Sequence, residues 1–600
     1  MPWWLLVAVA LVAFLATIGT LHYQFVYDDD YQILRNTWIR DWSNVGRIFT
    51  TNVWAFTGMQ GSSNYYRPLH MLLYTIAYSL GGLKPYAFHL CNILLHSLCC
   101  VLVTLVGFRL TNHKFIAVAG GLLFALHPIH AESVAWVAGV TDPLCALFYF
   151  SALYFYIRSG DEKENHQSLA LCLGAFLLAL FSKEMAFTFP VVAAWFDWCL
   201  HRRLRWSRYT LFAALFAVYA ALRIHALQTF TIQRAGFELD FAQFILNAFV
   251  LLARYVTKMF VPYGMSAFHV FMPATLFAPV GILTIACFLI LATVAWKIRN
   301  QRILIFLLGF GILTIVPVLN LRGIGENVFA DRYLYIPTLA SCLLVPAGVH
   351  ALWKGWSARP VWLNARAGAF ILALVLVASG WMLLKEMAVW RDNFTLYLET
   401  MRRSPQASLI AHNLGRSYFY AGDVQNAQKW EEKAFELWQN SFVKSTHDLM
   451  NIYLGLGGVR YQQGKIAEAR DYFTKSYQLA PENEAVLQNL GSVEFALRDY
   501  GQALQYYAAA IKVNPNSEVS YSNLAAVCLS AGQFDQAIAY AQKALEIYPQ
   551  FSDACVNLAR AYGAKGRKPE AFAAYEKVKA IDPSRAGLAD AEMRALAARK

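Results

Sequence analysis

The C-terminal third of the chain repeats itself every 34 residues. Proline marks this period at Pro481, Pro515, Pro549 and Pro583, and alanine recurs with the same spacing at Ala469, Ala503, Ala537 and Ala571. A period of this length predicts a solenoid of stacked helix pairs rather than a single globular core. The small alanine lets the two helices of a pair approach closely, and proline ends each unit.

Thirty-four residues is the period of the tetratricopeptide repeat. An earlier unit carries Ala427, which lies 42 residues before Ala469. An insertion of about one loop is therefore expected near Asn440–Thr446. We predict an α-solenoid of five repeats over residues 404–600, closed by a capping helix from Arg585.

An asparagine also recurs in the repeats, at Asn413, Asn489, Asn523 and Asn557. Such solenoids bind peptides or partner proteins in a concave groove. If the asparagines face that groove, their amides are suited to hydrogen-bond the backbone of a bound peptide. The alternative is that they satisfy polar groups at neighbouring helix ends.

Residues 1–390 differ in character, because apolar segments follow one another with few charges between them. Of the whole chain 58% is hydrophobic and only 15% is charged, which is typical of a polytopic membrane protein with a soluble part. We expect an all-α fold, with a bundle of about eleven membrane spans ahead of the solenoid. The expected spans are Trp3–Leu21, Tyr86–Leu110, Phe115–Val137, Pro143–Ile157, Leu169–Phe181, Phe187–Leu200, Tyr209–Leu227, Leu276–Trp296, Ile303–Leu321, Tyr333–Leu352 and Ala367–Leu384.

The remaining composition excludes some classes of protein. The ten cysteines show neither a CxxC pair nor metal-ligand spacing, so disulfides and zinc are not indicated. The net charge of +13 comes largely from short loops between apolar segments, which favours a membrane topology over nucleic-acid binding.

The basic loops also predict the orientation. If they face the cytoplasm, then Asp28–Asp30, the first loop over about residues 22–85 and everything after Leu384 lie on the other side. Leu246–Val261 would reverse every later loop if it spanned the membrane, and it carries charges. We therefore interpret it as interfacial or re-entrant. The expected location is the inner membrane of a bacterium, with the repeats on the periplasmic side.

Asp28, Asp29 and Asp30 stand together just after the first apolar segment. Three adjacent carboxylates at a membrane face suggest a functional site, although a solvated acidic turn is the plain alternative. Further polar residues gather at the same ends of the predicted spans. They are Arg67, His127, His130, Glu132, Asp142, Lys183, Glu184, Glu326, Arg332 and Tyr333.

Each of these residues has a structural alternative. His127 and Glu132 could satisfy the helix end freed by Pro128, Lys183–Glu184 could be an interfacial ion pair, and the arginines could reach to lipid headgroups. His127, His130 and Glu132 together do not indicate a metal, because three ligands without a wider set are weak evidence.

Together, the carboxylates and cations of this set are suited to the transfer of a sugar from a lipid phosphate. A carboxylate can remove the proton of an acceptor hydroxyl, and cations can stabilise the departing phosphate. Asp28 and Asp29 are the candidates for the base, and the polar residues above are candidates for binding the donor. This chemistry requires no cofactor, although a divalent metal would be compatible with it. Neither a GxGxxG nor a Walker sequence suggests a nucleotide donor.

Five motifs carry a resemblance to a known family. They are Phe25–Asp30, Tyr66–Leu69, Leu126–Val134, Lys183-Glu184 and Asp331–Pro337. With the repeats, they resemble the transmembrane and tetratricopeptide-repeat O-mannosyltransferases of the GT-C superfamily. The resemblance implies a GT-C membrane fold and a polyprenyl-phosphate donor. It also implies an acidic pair at Asp28 and Asp29, and a functional arginine at Arg332.

One motif departs from the family, which usually has Gly-Arg-Ala-Asp where this chain has Gly139-Val140-Thr141-Asp142. The sugar therefore stays open. We expect a membrane glycosyltransferase that moves mannose or another monosaccharide from a polyprenyl phosphate to an extracytoplasmic protein or glycan hydroxyl. The alternatives are an O-antigen-ligase-like transferase with a lipid-diphosphate donor and a non-enzymatic membrane scaffold that works through its repeats.

Overall fold

The computed structural model describes residues 1–57, 65–160, 165–228, 239–275, 278–319, 328–355 and 361–598. Within these residues every regular element is a helix, so the all-α prediction is confirmed. The chain divides into two compact units, one ending at Ala407 and the other beginning at Ser408.

The first unit contains sixteen α-helices in its described residues, joined by short 3₁₀ and π turns. They are α1 (Trp3–Thr17), α2 (Val45–Thr50), α3 (Pro68–Gly81), α4 (Pro85–Thr111), α5 (Lys114–Leu126), α6 (Ala131–Ala135), α7 (Thr141–Ser159), α8 (His166–Ser182), α9 (Phe189–Phe196), α10 (Trp206–Leu227), α11 (Phe241–Phe260), α12 (Pro279–Ile298), α13 (Arg302–Ile315), α14 (Thr338–Gly355), α15 (Val361–Ala388) and α16 (Asn393–Arg403).

Seven helical segments in the described part of the chain are long and apolar enough to cross a membrane, fewer than the eleven expected spans. They are Trp3–His22, Pro85–Thr111, Val137–Ser159, Trp206–Leu227, Pro279–Ile298, Arg302–Leu319 and Gly368–Ala388. The chain therefore has the character of a membrane protein.

The remaining expected spans are shortened or broken. Leu169–Phe181 and Tyr333–Leu352 correspond to the shorter apolar helices α8 and α14. Phe115–Val137 becomes α5 followed by a segment bent by 47°, because Pro128 has no backbone N–H to continue the helix. Phe187–Leu200 divides into a 3₁₀ turn, α9 and a π turn.

Glycines let the helices at the centre of this unit approach closely. A Cβ on Gly107 or Gly120 would lie 2.6 or 2.5 Å from the Leu343 side chain, and one on Gly121 would lie 2.0 Å from Thr104. These contacts bring α4, α5 and α14 together as small residues do in membrane bundles.

Helices α3 and α11 are among those that lie outside the candidate spans. Helix α3 was not expected, and it begins with Pro68 at its first position and ends before Gly82, which has φ of 60°. Helix α11 covers the segment Leu246–Val261, and it is amphipathic, with Lys258 buried and Arg254 exposed. Its assignment as interfacial or re-entrant stays a prediction.

The second unit consists of five helix pairs and a final helix. They are α17 (Ser408–Tyr420), α18 (Val424–Asn440), α19 (Thr446–Gln462), α20 (Ile466–Leu479), α21 (Glu484–Ala496), α22 (Tyr500–Val513), α23 (Glu518–Ser530), α24 (Phe534–Ile547), α25 (Ser552–Ala564), α26 (Lys568–Ile581) and α27 (Ala586–Ala598). The recurring alanines at Ala469, Ala503, Ala537 and Ala571 are completely buried.

The insertion in the repeats lies mainly in helices, which corrects the expectation of an added loop. Helices α18 and α19 each have 17 residues, whereas α20 has 14 and α21 has 13. The extra residues can extend both helices because the segment contains no proline or glycine until Gly455.

The close packing of a pair gives a first prediction. A Cβ on Gly491 would lie 2.8 Å from the Tyr507 ring, so Gly491→Ala should destabilise the pair α21–α22 by about 1–3 kcal/mol through overpacking. Hydrogen exchange of these helices in the full chain measures the effect. Gly501→Ala adds the same methyl group at an exposed position and is the matched control. Equal protection of α21 and α22 in both variants would contradict the prediction.

Candidate functional site

The acidic segment follows the first span in a tight turn. Asp29 is completely buried, and its carboxylate accepts hydrogen bonds from the backbone N–H groups of Val26 at 3.0 Å and of Ala138 at 2.9 Å. Tyr27 has φ of 56°, in the left-handed region, where the chain reverses. Through these two hydrogen bonds, Asp29 joins the start of the first loop to the 3₁₀ turn that precedes α7.

Asp28 and Asp30 are both partly accessible. Asp30 pairs with Arg35 across 3.3 Å at the surface, where both side chains are about half exposed. The backbone N–H of Tyr27, next to Asp28, donates to Oδ1 of Asn393 at 2.9 Å. The adjacent carboxylates Asp28 and Asp29 thus have different environments.

Burial changes the acidity of Asp29. Desolvation raises its pKa to about 8, against the lowering effect of the two backbone N–H groups and with a smaller raising effect from Asp28. The Asp29 carboxyl therefore holds a proton over much of the range below neutral pH.

Three cations in the first unit each pair with one carboxylate. The pairs are Arg67 with Glu184, Lys183 with Asp142, and Arg332 with Glu132. They bring together residues from five places in the chain: the start of α3, helix α6, the start of α7, the end of α8 and the turn before α14. The structure thus assembles most of the predicted donor-binding residues.

The geometry of each pair is well defined. Nε and Nη2 of Arg67 both reach Glu184, at 3.1 and 2.7 Å to the same oxygen. Nζ of Lys183 lies 2.5 Å from Oδ1 of Asp142, and both side chains are 5% exposed. Arg332 donates to Glu132 from its side chain and also from its backbone N–H, at 3.2 Å.

Aromatic rings connect the cations. Lys183 and Arg332 both contact the Tyr333 ring, at 5.3 and 5.2 Å from its centroid. Arg332 also lies 5.4 Å from the Trp136 ring, which packs edge-on against Tyr27 at 5.9 Å. Trp136 therefore connects the acidic segment, Asp28–Asp30, to the cation cluster. We use this name for Arg67, Lys183 and Arg332 with their carboxylate partners. Arg67 lies 4.3 Å from the Tyr65 ring.

A further buried ion pair involves Asp331, the residue that precedes Arg332 in the chain. Asp331 pairs with Lys258 of α11, accepts from the backbone N–H of Ser266 at 3.1 Å, and lies 3.4 Å from Nε2 of His269. Although burial would raise its pKa, His269 and Lys258 hold the pKa of Asp331 below its usual value. The turn that carries Arg332 is therefore fixed by α11 and the segment after it.

The rings of His127 and His130 are buried between packed helices, and the hydrogen bonds described for them go to backbone groups and to Thr338. Nδ1 of His130 bonds to the Phe124 carbonyl at 2.8 Å and Nε2 to Thr338 at 2.9 Å. His127 bonds to the Met259 carbonyl and accepts from the backbone N–H of Ile129. Both rings bond to groups at helix ends, and for His127 this is the structural alternative given above.

Other predicted residues lie elsewhere or outside the structure. Asn557 donates to the carbonyl and hydroxyl oxygens of Ser522 in α23, and Asn489 donates to the Ala485 carbonyl of its own helix. Asn413 is buried and Asn523 is half-buried. Glu326 lies outside the described residues.

Sequence reasoning missed Trp136, Lys258 and His269 as parts of this site. Lys258 had a usable signal, because a charged residue in an apolar segment usually has a buried partner. Trp136 and His269 had none, since a single aromatic or histidine near a predicted helix end is common in any membrane protein.

Comparison with known proteins supports the sequence-based assignment. A tetratricopeptide-repeat family model matches residues 406–482 and 483–550, and a second matches residues 529–599. The protein O-mannosyl-transferase TMTC3 of Homo sapiens is 23% identical over 76% of this chain and 53% of its own length. TMTC4 of Homo sapiens is 26% identical over 72% of this chain and 66% of its own length.

These homologues are protein O-mannosyl-transferases. The resemblance drawn from the motifs is thereby confirmed. A shorter match, to Tmtc2 of Drosophila melanogaster, is 36% identical over 31% of this chain and 21% of that protein. The match thus spans between about a fifth and two thirds of the relatives' lengths.

Solved structures of repeat proteins are also similar to part of the chain. YrrB, described as a TPR protein with an unusual peptide-binding site, is 22% identical, with a TM-score of 0.25, over 33% of this chain and 97% of its own. MamA is 24% identical, with a TM-score of 0.24, over 30% of this chain and 94% of its own.

The raised pKa of Asp29 gives a prediction about pH. The folded state keeps a proton that the unfolded state loses above pH 3.8, so stability should fall as pH rises from about 4 to 8. Asp29→Asn removes this titration, so the thermal midpoint of the variant in detergent should fall less between pH 5 and pH 8.

The same variant should be less stable than the wild type at both pH values. An asparagine can accept one of the two backbone N–H groups but not both, and leaving one unpaired costs about 1–3 kcal/mol. Identical pH slopes for the two proteins would contradict the assignment of the titrating group.

Proposed function

We propose that this chain is a membrane glycosyltransferase that moves mannose or another monosaccharide from a polyprenyl phosphate to a hydroxyl group of a protein or glycan. The observation that carries the proposal is the set of three cation–carboxylate pairs, which Trp136 connects to the acidic segment. The O-mannosyl-transferase names of the homologues favour this chemistry.

In this scheme Asp28 is the base. It takes the proton from the acceptor hydroxyl while the acceptor oxygen forms a bond to the anomeric carbon. The bond from that carbon to the phosphate oxygen breaks, and its electron pair stays on the phosphate. The attack comes from the face opposite the departing phosphate, so the configuration of the sugar inverts.

Asp29 has a positioning role in this scheme. Both of its oxygens accept backbone hydrogen bonds, and its side chain is completely buried. Its neighbour Asp28 is partly accessible and is thus the better placed of the two to meet an acceptor. Asp29 would hold the turn so that Asp28 keeps its orientation.

The cations would bind the phosphate without leaving their carboxylates. Lys183 uses one of its three N–H donors on Asp142, and Arg332 uses only part of its guanidinium on Glu132. Fixed donors of this kind stabilise charge that develops on a leaving group at little reorganisation cost. Because these fixed N–H donors can stabilise the charge that develops on the phosphate, the scheme requires no metal.

The repeats would recruit the acceptor. The homologues' names point to a protein acceptor, and repeats of this class bind peptide segments in other proteins. We place the site and the repeats on the extracytoplasmic side of a bacterial inner membrane, as the distribution of basic loops suggests.

Replacement of Asp28 tests the proposal directly. Membranes containing the full chain are supplied with labelled polyprenyl-phosphate mannose, and label transferred to protein is measured. Asp28→Asn should lower the rate about 100-fold or more, because it removes the general base. Asp30→Asn, which changes an adjacent surface carboxylate paired with Arg35, is the control and should keep activity. Unchanged transfer by Asp28→Asn would favour the scaffold alternative.

Arg332 gives an independent prediction for the phosphate. Arg332→Gln should lower the maximal rate about 100-fold, since it removes one fixed donor to the leaving group. Arg402→Gln changes an exposed arginine and is the control. Loss of folding is checked by the thermal midpoint of each variant. Equal rates for the two variants would exclude Arg332 from phosphate binding.

A further inference from the structure

Two polar side chains of helix α3 are buried and have no hydrogen-bond partner in the part of the chain that the structure describes. His70 is 2% exposed and Tyr74 is 1% exposed. They lie one helical turn apart, with ring centroids separated by 4.3 Å. Among the described residues, neither ring nitrogen of His70 nor the hydroxyl of Tyr74 has a hydrogen-bond partner.

This arrangement is costly, because a buried polar atom without a partner loses its hydration and gains nothing in return. The polar neighbour Thr75, on the same helix, is satisfied by the Met71 carbonyl at 3.1 Å. The polar atoms of His70 and Tyr74 lie at the ends of longer side chains, beyond the reach of their own helix carbonyls, so their partners have to come from outside α3. Each buried polar group without a partner calls for an explanation, and a ligand that supplies the missing hydrogen bonds is one such explanation.

The pair lies close to both charged parts of the site: the backbone N–H of His70 donates to the Arg67 carbonyl at 3.2 Å, and the Tyr74 ring packs on Phe88, which packs on Phe25. Tyr74 is close enough to Asp28, Asp29 and Arg67 for their charges to act on it. His70 is likewise close enough to Arg67 and Lys183 for their positive charges to act on its ring. In the proposed reaction, the region between the base and the phosphate-binding cations is where the transferred sugar would lie.

Both side chains are also neutral. Burial, with smaller contributions from Arg67 and Lys183, lowers the pKa of His70 to about 3. Burial, and then the charge of Asp29, raises the pKa of Tyr74 well above its usual value. Neutral imidazole and neutral phenol each present one donor and at least one acceptor.

We propose that His70 and Tyr74 bind hydroxyl groups of the transferred sugar and so contribute to the choice of sugar. A sugar hydroxyl both donates and accepts hydrogen bonds, which matches neutral groups that also do both. A phosphate only accepts, and the adjacent cations match it better. The inference rests on the proposed function and adds the sugar-binding part of that site.

Tyr74→Phe is the most direct test, because it removes one hydroxyl and keeps the ring. The full chain is titrated with two lipids, polyprenyl-phosphate mannose and polyprenyl phosphate without sugar. The variant should bind the mannosylated lipid about tenfold more weakly and the bare lipid with unchanged affinity. Tyr78→Phe, at a half-buried tyrosine one turn further along α3, should change neither affinity.

A second measurement distinguishes sugar binding from a structural role. Without lipid, Tyr74→Phe should raise the thermal midpoint, because it removes an unsatisfied buried hydroxyl. If the hydroxyl instead holds an ordered water that stabilises the fold, the midpoint falls, and the inference is overturned. His70→Phe is the second variant and should show the same two effects.

The outcomes separate this inference from the proposed function. Equal weakening of both lipids, or of neither, would overturn sugar binding by Tyr74 while leaving the lipid donor in place. Selective weakening of the mannosylated lipid supports the inference even if Asp28→Asn still transfers sugar. If the wild type binds neither lipid, the proposed donor and this inference both fail.

Discussion

The need to pair every buried charge is the constraint on which this site depends. A single ionised side chain in an apolar surrounding is strongly destabilising, and a pair is tolerated only when its geometry is good. Arg67, Lys183, Arg332 and Lys258 each have a carboxylate partner. The pairs also join segments far apart in the chain, so they fix the positions of α3, α7, α8 and the turn before α14.

Pairing has a second effect: it orders the N–H donors of the cations before a ligand binds to them. An arginine held by a carboxylate loses less freedom when it binds a phosphate than one that moves in solvent, because its side chain is already ordered. Asp331 contributes to this ordering indirectly, through its own hydrogen bonds. Its bonds to Lys258 and Ser266 hold the neighbouring Arg332 in place.

Much of this architecture could be predicted from the sequence. The repeat period predicted the helix pairs, and the apolar segments predicted a membrane part with polar residues gathered at one set of ends. The partners could not be predicted, since Arg67 and Glu184 are 117 residues apart and Glu132 and Arg332 are 200 apart. Such contacts depend on the packing of several helices, which local patterns do not specify.

The surroundings of single residues depend on the same kind of contact, and donor binding by His127 and His130 stays a prediction. His127 and His130 have the composition of a site, but Pro128 leaves helix ends that need hydrogen bonds, and the two rings supply them. His70 and Tyr74 were overlooked because one histidine and one tyrosine on a short helix carry no pattern. Only the structure indicates that they are buried and lack hydrogen-bond partners in the described residues.

The adjacent carboxylates Asp28 and Asp29 illustrate how one sequence motif can serve two purposes. A strand or helix would place neighbouring side chains on different faces by its regular geometry, whereas here a turn with φ of 56° at Tyr27 does so. Asp29 faces inward onto two backbone N–H groups, and Asp28 stays partly accessible. In the proposed scheme the motif needs both residues, because the buried Asp29 holds the turn that presents the accessible Asp28.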